Sequence, residues 1–371
     1  MNDMMSVLFA SGSESKLNEL TLHRTTASLP FGGRYRLIDF TLSNLVNSGI
    51  TQIGIVTRSN YQSLMDHIRQ GRDWDLNRKN GGISVFPPFV YNSSREVYKG
   101  KIEALYSIMD FLTKSREDYV LISNCNVAAN IDFDEMYEKH LKSGAVLSML
   151  YYKNYTTTSR RIVINVGEND AVTDIYETEF AGSDENMISL NIYLIRKDIL
   201  IGLVQKAYAR GLVDFEKDIL FKLVQEGKVC AFEAGGYAAI VDDVKSYYAE
   251  SMNLLKSEVR RDLFKGAESK IYTKVKDSVP TVYKDNAKIT NSLIADGCII
   301  NGLVENSILF RKVKIEEGAV VKNSIVMENG IVGKNSSLQY AITDKDVTIT
   351  EGRNISGFIT YPIVIVKGKK V

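Results

Sequence analysis

The sequence predicts two successive folds, an α/β domain with a mostly parallel sheet and then a parallel β-helix. Strand patterns alternate with helix patterns over residues 1–265, which is typical of a sheet covered by helices on both faces. Over residues 272–371, apolar residues instead recur every six positions, a period that indicates short strands stacked around a triangular coil. We therefore expect two domains, 1–265 and 272–371, joined by a short polar linker.

The C-terminal repeat is the clearest periodic signal. Apolar residues recur every six positions from Val313 to Ile331, and a second set keeps the same step two places further on. Asparagine and glycine residues such as Asn323 and Gly318 fall at the corners, where positive φ is often needed. A loosely patterned β-sandwich is the alternative, but the constant phase favours the β-helix. Since the open ends and flat faces of such coils commonly bury against another chain, we expect an oligomer.

Composition limits the functions that the chain can have. Its 371 residues include 46 Lys and Arg against 45 Asp and Glu, so the charge balance predicts no general attraction for nucleic acid or an anionic membrane. The three cysteines, Cys125, Cys230 and Cys298, are scattered, which favours a reducing cytoplasm over a disulfide framework or a CxxC metal site. No apolar stretch has the length of a membrane span. We expect a soluble, cytoplasmic protein without a metal site.

The opening unit predicts where a nucleotide would bind. Residues 6–10 have the pattern of a buried strand, a loop follows, and a helix pattern then ends at Gly49. In nucleotide-binding α/β domains the loop after the first strand is rich in glycine, so that backbone N–H groups reach the phosphates. Here residues 11–16 read SGSESK, with Glu14 where phosphate oxygens would lie. We expect Glu14 to repel such a ligand.

An ordered set of motifs extends along almost the whole chain. They are residues 30–40 (PFGGRYRLIDF), 74–78 (WDLNR), 80–82 (NGG) and 98–100 (YKG), and the pattern continues into the C-terminal third. Together they resemble bacterial glucose-1-phosphate adenylyltransferase, also called ADP-glucose pyrophosphorylase. The resemblance implies a nucleotide-diphospho-sugar transferase-like domain, followed by a left-handed parallel β-helix. It also implies nucleotidyl transfer, in which a sugar phosphate attacks the α-phosphorus of a nucleotide and carboxylates hold Mg²⁺.

Several positions to which the resemblance assigns this chemistry hold unsuitable residues. Cys125 and Ile240 stand where two aspartates bind Mg²⁺ in the catalytic relatives, and neither is a hard oxygen ligand. Thr26 and Thr178 replace two lysines that contact phosphates. The degenerate positions are Ser13, Glu14, Lys16, Thr26, Cys125, Thr178 and Ile240. The expected remnants of the nucleotide pocket are Gly12, Gly100 and Lys101. Loss of both carboxylates and two lysines removes the means of stabilising the transition state.

A basic cluster matches the effector site that the resemblance implies. His23, Arg24 and Arg36 correspond to residues that receive a phosphorylated effector between the two domains in regulated relatives. Arginine suits bidentate phosphate contact, although Pro30 replaces a histidine of that cluster. The alternative is that Arg24 and Arg36 are partners in structural ion pairs.

The function implied is that of a regulatory subunit. The chain resembles the degenerate GlgD-type subunits of the family, which join a catalytic paralogue, usually in a heterotetramer, and raise its activity in glycogen synthesis. On this interpretation the chain needs no cofactor, Mg²⁺ belongs to the catalytic partner, and a homo-oligomer is possible without that partner. Two alternatives stay open. One is an active nucleotidyltransferase with a rebuilt site, using Asp39, Glu103 or Asp242, and the other is a stand-alone sugar-phosphate or nucleotide sensor.

Overall fold

The computed structural model describes most of the chain. The described residues are 3–12, 14–58, 60–79, 81–88, 98–153, 159–179, 186–264 and 269–371. Ser13, one of the degenerate positions named above, lies outside them, as does residue 265. Within the described residues, no helix has both the length and the apolar character needed to cross a bilayer.

The N-terminal domain contains a nine-stranded sheet. Its strands are β1 (Met4–Phe9), β2 (Gln52–Val56), β3 (Gly82–Phe86), β4 (Tyr119–Asn124), β5 (Leu147–Lys153), β6 (Arg161–Val166), β7 (Val172–Thr178), β8 (Met187–Arg196) and β9 (Val229–Glu233). The main path runs β7-β6-β8-β4-β1-β2-β3, while β5 pairs with β8 and with β9. The predicted α/β class is confirmed, because helices cover this sheet on both faces.

The direction of the strands places the candidate site. β4, β1, β2 and β3 run parallel to one another, and β8 runs antiparallel to β4, β5 and β6. The loops that follow β1 and β4 therefore leave the same edge of the sheet. Ligands of open α/β sheets bind outside the carboxyl ends of the parallel strands.

The helices are mostly short. The α-helices are Glu14–Leu17, Leu37–Asn47, Gln62–Ile68, Lys101–Ser107, Met109–Lys114, Phe133–Ser143, Lys197–Ala209, Phe221–Gln225, Val244–Asn253 and Ser257–Leu263. Short 3-10 turns cover Asn18–Thr21, Thr26–Ser28, Arg72–Trp74 and Glu168–Asp170, and Glu216–Leu220 is a π-helix. The sequence predicts one helix that begins near Asp242 and Asp243 and continues past Val259. This prediction is wrong in one respect, since the structure has two helices separated after Asn253.

The C-terminal domain confirms the β-helix. Its strands lie in three parallel five-stranded sheets, one for each face of the coil. The strands are Val282–Tyr283, Lys288–Thr290, Leu293–Ile294, Ile299–Ile300, Leu303–Glu305, Ile308–Leu309, Lys314–Ile315, Val320–Lys322, Ile325–Val326, Ile331–Val332, Ser337–Gln339, Ala341–Thr343, Thr348–Ile349, Asn354–Ser356 and Ile363–Ile365. Asn323 and Gly318 have positive φ at corners, as their spacing predicts.

The two domains share an apolar core. Buried side chains of the first domain, such as Phe31 and Tyr247, belong to the same cluster as Ile325 and Ile342 of the β-helix. The Tyr248 hydroxyl also donates a hydrogen bond to the backbone oxygen of Asn323 at 2.7 Å. Because the contact is apolar and buried, the domains pack as one body rather than as beads on a linker.

Two glycines allow a matched test of this packing. A Cβ at Gly302 would lie 2.4 Å from the backbone oxygen of Ala319 in the next coil, whereas a Cβ at Gly202, inside a helix, would meet no atom within 4 Å. We expect Gly302→Ala to lower the free energy of unfolding by about 1–3 kcal/mol, because the coils must separate. Gly202→Ala should raise it by about 0.5–1 kcal/mol. Urea unfolding of both variants checks this, and equal effects would contradict the stacking geometry.

Candidate functional site

A cleft of about 430 Å³ opens at the carboxyl ends of β1 and β4. The loop after β1 and the segment around the π-helix Glu216–Leu220 both line it. Lys16, Gly12, Gly100, Lys101, Asn126 and Asn191 are among its lining residues. A Cβ at Gly100 would lie 2.1 Å from the backbone oxygen of Val213, so this wall requires glycine. The cleft has the position and size of a small-molecule site.

One N–H of the loop after β1 and two donors of Thr26 are already occupied. One carboxylate oxygen of Glu14 accepts a hydrogen bond from the N–H of Gly12 at 2.7 Å. The other accepts hydrogen bonds from the N–H of Thr26 at 3.3 Å and from its hydroxyl at 3.2 Å. The sequence predicts that Glu14 repels an anion, and its hydrogen bonds show a second effect. Glu14 fills, from within the chain, the anion position that backbone N–H groups create.

The residues at the two metal positions are buried and apolar in character. Cys125 is 2% exposed and packs in the core under the sheet, and burial raises the pKa of its thiol to about 12. Ile240, also 2% exposed, lies on the short strand Ala238–Ile240, paired with Val127–Ala129. A protonated thiol and an alkyl group cannot coordinate Mg²⁺.

Ion pairs occupy the charged side chains that line the cleft. Lys101 forms a salt bridge with Glu216, so its long side chain is tied to the segment around the π-helix. Arg160 and Lys217 both contact Glu177, at 2.8 and 3.3 Å. A phosphorylated ligand would have to compete with these carboxylates for the cations.

Asp242 lines the cleft, although the position of Asp242 and Asp243 just before a helix pattern predicts that these two residues cap that helix. Its carboxylate contacts Arg161 at 2.9 Å and accepts a hydrogen bond from the side chain of Asn126 at 2.6 Å. The neighbouring Asp243 is the residue that caps the helix, since it accepts a hydrogen bond from the N–H of Ser246 at 2.6 Å. The capping prediction is therefore confirmed for Asp243 and wrong for Asp242.

The other two candidate carboxylates, Asp39 and Glu103, lie outside the cleft. Asp39 is buried and contacts His67 Nε2 at 2.5 Å and the N–H of Arg36 at 3.0 Å. Glu103 accepts a hydrogen bond from the N–H of Lys99 at 2.7 Å. Neither side chain lines the cleft.

The cleft does not fit Mg²⁺. Across the part of the chain that the structure describes, no group of three or more His, Cys, Asp or Glu side chains is placed to hold a metal ion. The carboxylates of Glu177, Glu216 and Asp242 each contact a basic side chain instead. A divalent cation would have to break these pairs to gain oxygen ligands.

A second pocket, of about 100 Å³, lies between the two domains. Its basic side chains are Arg34, Arg36, Lys274, Lys276, Arg311 and Lys345. Arg36 donates a hydrogen bond to the backbone oxygen of Ser63 at 2.6 Å. Burial lowers the pKa of Arg36 to about 10, against the opposing effect of Asp39, so the guanidinium stays charged at neutral pH. The excess of cations makes this pocket suitable for an anion.

The predicted effector residues are only partly brought together here. Arg36 lines the interdomain pocket, whereas His23 and Arg24 do not. Arg24 is 3% exposed and donates hydrogen bonds to both carboxylate oxygens of Asp344, at 2.8 and 3.0 Å. His23 is exposed. Of the two readings of Arg24, the ion-pair alternative is therefore the one that its contacts favour.

Glu328 partly neutralises the positive charge of the pocket and makes the stability of the protein depend on pH. Burial opposes its ionisation, but Lys345, at 3.0 Å, and Lys276 outweigh burial and lower its pKa to about 2. Because the folded pKa lies below the unfolded value, the stabilisation is complete above about pH 4.5 and is lost as pH falls toward 2. We expect Glu328→Gln to be less stable than the wild type at pH 6, with the difference shrinking between pH 4.5 and 3. Urea unfolding across this range checks it, and a constant difference would contradict it.

The comparisons with known proteins agree with this architecture. Residues 5–257 match the nucleotidyl transferase family, and residues 263–357 match the GlmU-like C-terminal hexapeptide family. The chain is 34% identical over 353 residues to the glucose-1-phosphate adenylyltransferase of Bacillus thuringiensis (strain Al Hakam), covering 94% of this chain and 93% of that protein. This chain belongs to the glucose-1-phosphate adenylyltransferase family. It is also 33% identical over 374 residues to the glycogen biosynthesis protein GlgD of Bacillus subtilis (strain 168), covering 99% and 96%.

The family resemblance predicts the position of the cleft but not the salt bridges between its lining residues. Glu216, which binds Lys101, and Arg161, which binds Asp242, are 115 and 81 residues from their partners, so no local pattern relates them. Thr178 ends β7 and pairs in register with Arg161, which lines the cleft, but Thr178 itself is not a lining residue. Pairs of this kind become visible only when the sheet brings distant strand ends together.

Proposed function

We propose that this chain is a catalytically deficient regulatory subunit of glycogen synthesis. It would bind a catalytic paralogue and raise the rate at which that paralogue makes ADP-glucose from ATP and glucose 1-phosphate. The observation that supports this most strongly is the Glu14 carboxylate bound to Gly12 and Thr26 at the phosphate loop. A triphosphate would have to displace Glu14 and would then meet Cys125 and Ile240 in place of metal ligands.

Regulation requires that this chain bind two states of its partner with different affinities. A subunit can raise the partner's activity only if it binds the competent state more tightly than the incompetent one. The fold retained here offers a rigid β-helix and a shared interdomain core for such contacts. We propose a heterotetramer with the catalytic paralogue, in which the paralogue holds Mg²⁺, and a homo-oligomer of this chain in its absence.

The interdomain pocket is the proposed effector site. A phosphorylated metabolite such as fructose bisphosphate would bind its excess of basic side chains, with Arg36 as the arginine contributed by the predicted cluster. We expect Arg36→Ala to weaken binding of fructose bisphosphate in a calorimetric titration by at least about tenfold. The exposed Arg196→Ala, which lies outside the pocket, is the control. Equal affinity of the two variants for fructose bisphosphate would contradict an anion site in this pocket.

One observation favours the alternative function, an active nucleotidyltransferase: the carboxylate of Asp242 lines the cleft. A calorimetric titration of the chain alone with ATP and Mg²⁺ separates the two functions. The regulatory function predicts affinity weaker than about 1 mM, at the limit of what such a titration resolves. Micromolar affinity that Asp242→Asn abolishes would support an active or sensing site. Sedimentation of the chain with its paralogue completes the test, because a mixture without a common complex would exclude a regulatory subunit.

A further inference from the structure

One corner of the β-helix departs from the repeat. In the first three coils, a two-residue Asn-Ser corner joins the second strand to the third, and in the fourth coil Tyr340 alone makes this turn. In the fifth coil, residues 357–362 connect Asn354–Ser356 to Ile363–Ile365. Four preceding corners turn with one or two residues, so the coil does not need an insertion of this length. Insertions in repeat folds commonly lie on the binding face.

The insertion is held in one conformation. The N–H of Phe358 donates to the backbone oxygen of Tyr361 at 3.2 Å, and the N–H of Tyr361 donates back to Phe358 at 3.0 Å. At its base, the N–H of Gly357 donates to Gln339 at 2.9 Å, and a Cβ at Gly357 would lie 2.5 Å from the backbone oxygen of Tyr340. We call residues 357–362 the apolar hairpin. A hairpin that is already ordered loses little entropy on binding.

The side chains of the apolar hairpin point into solvent. Phe358 is 74% exposed, Ile359 67% and Tyr361 79%. Residues 357–362 read GFITYP and contain no charge. Among the described residues, Val275 and Val279 are the other large apolar side chains exposed beyond 60%. Three adjacent side chains of this kind, on an insertion, are typical of an interaction site rather than of an ordinary surface.

We propose that the apolar hairpin is the central contact through which this chain binds its catalytic paralogue, an inference that rests on the proposed function. Three such side chains would bury roughly 400 Å², about half of what one partner contributes to a stable interface. Aromatic anchors of this type supply most of the binding energy when they fill a pocket. The partner must therefore offer a concave apolar pocket with a polar rim.

A second copy of this chain is the less suitable occupant. A hairpin at the centre of a two-fold homodimer would lie on the axis and meet its own copy, and two protruding hairpins cannot fill each other. A different chain can provide the recess that a protrusion requires. Shape therefore favours the paralogue.

The test uses the full chain with Phe358→Ser and Tyr361→Ser together. The control has Val275→Ser and Val279→Ser, which remove two equally exposed apolar side chains elsewhere. Each is mixed with the catalytic paralogue, and both the dissociation constant by sedimentation and the rate of pyrophosphate release are measured. We expect the hairpin variant to bind at least about thirtyfold more weakly and the control to bind as the wild type does. A third variant, with residues 357–362 replaced by Asn-Ser, should match the hairpin variant and keep the wild-type melting temperature.

The outcomes separate this inference from the proposed function. If the hairpin variant binds and activates the paralogue as the wild type does, the inference is wrong and the regulatory function stands. If it binds the paralogue normally but loses self-association, the occupant is a second copy, which also overturns the inference. If the wild type itself does not bind the paralogue, the proposed function fails together with the inference.

Discussion

Replacing Arg24 by alanine is expected to lower the free energy of unfolding by about 3–5 kcal/mol. The Arg24 and Asp344 side chains are 3% and 2% exposed, and their two hydrogen bonds join the first domain to the β-helix. Removing one partner leaves the other charge buried without its counter-ion. Urea unfolding at neutral pH measures the loss, and it should be accompanied by weaker contact between the domains.

Two further variants identify the cause. Arg24→Met combined with Asp344→Leu should recover most of the lost stability, because neither charge then remains buried alone. Lys114→Ala removes a cation from an exposed pair with Asp110 and should change stability by less than about 1 kcal/mol. A loss for Arg24→Ala as small as that for Lys114→Ala would contradict the buried pair. It would then reopen the possibility that Arg24 is available to an effector.

Replacing Glu14 by alanine is expected to raise the affinity of the chain for ATP by about tenfold or more. The substitution frees the N–H groups of Gly12 and Thr26 and removes a negative charge from the position of the phosphates. Hydrogen bonds to a charged acceptor are worth about 1.5–3 kcal/mol each, so even one recovered bond accounts for a tenfold gain. Pyrophosphate release should stay undetectable, because Cys125 and Ile240 still supply no metal ligand.

Glu19→Ala is the matched control for this gain. It changes the net charge by the same amount from an exposed position in the 3-10 turn that follows, without touching the loop. Calorimetric titration with ATP should show the gain for Glu14→Ala alone. The same gain in both variants would mean that net charge, rather than occupation of the loop donors, controls the affinity.

The fold could be predicted because its signals are local. The six-residue period fixes the coil of the β-helix, since each corner and strand is specified within one repeat. Alternating strands and helices specify the α/β class in the same way. The break after Asn253 was missed because apolar residues continue in phase beyond it, and only the packing of each helix determines where the chain turns.

The site could be predicted less well because the role of each of its side chains depends on a bonded partner far away in the sequence. The sequence identifies Glu14 as an anomaly, yet the bonds that make it an internal occupant of the loop depend on Thr26, twelve residues away. Arg24 has the residue type of a phosphate ligand, and only the partner Asp344, 320 residues later, indicates otherwise. Long-range pairs of this kind leave no trace in spacing or composition.

The most direct test of the regulatory function is pyrophosphate release from ATP and glucose 1-phosphate in the presence of Mg²⁺. The purified chain is assayed alone, the catalytic paralogue alone, and then the two together at equal concentration. We predict no turnover by this chain and a higher rate in the mixture than the paralogue reaches by itself. Turnover by this chain alone, lost in Asp242→Asn, would contradict the account and show that the cleft has been rebuilt as an active site.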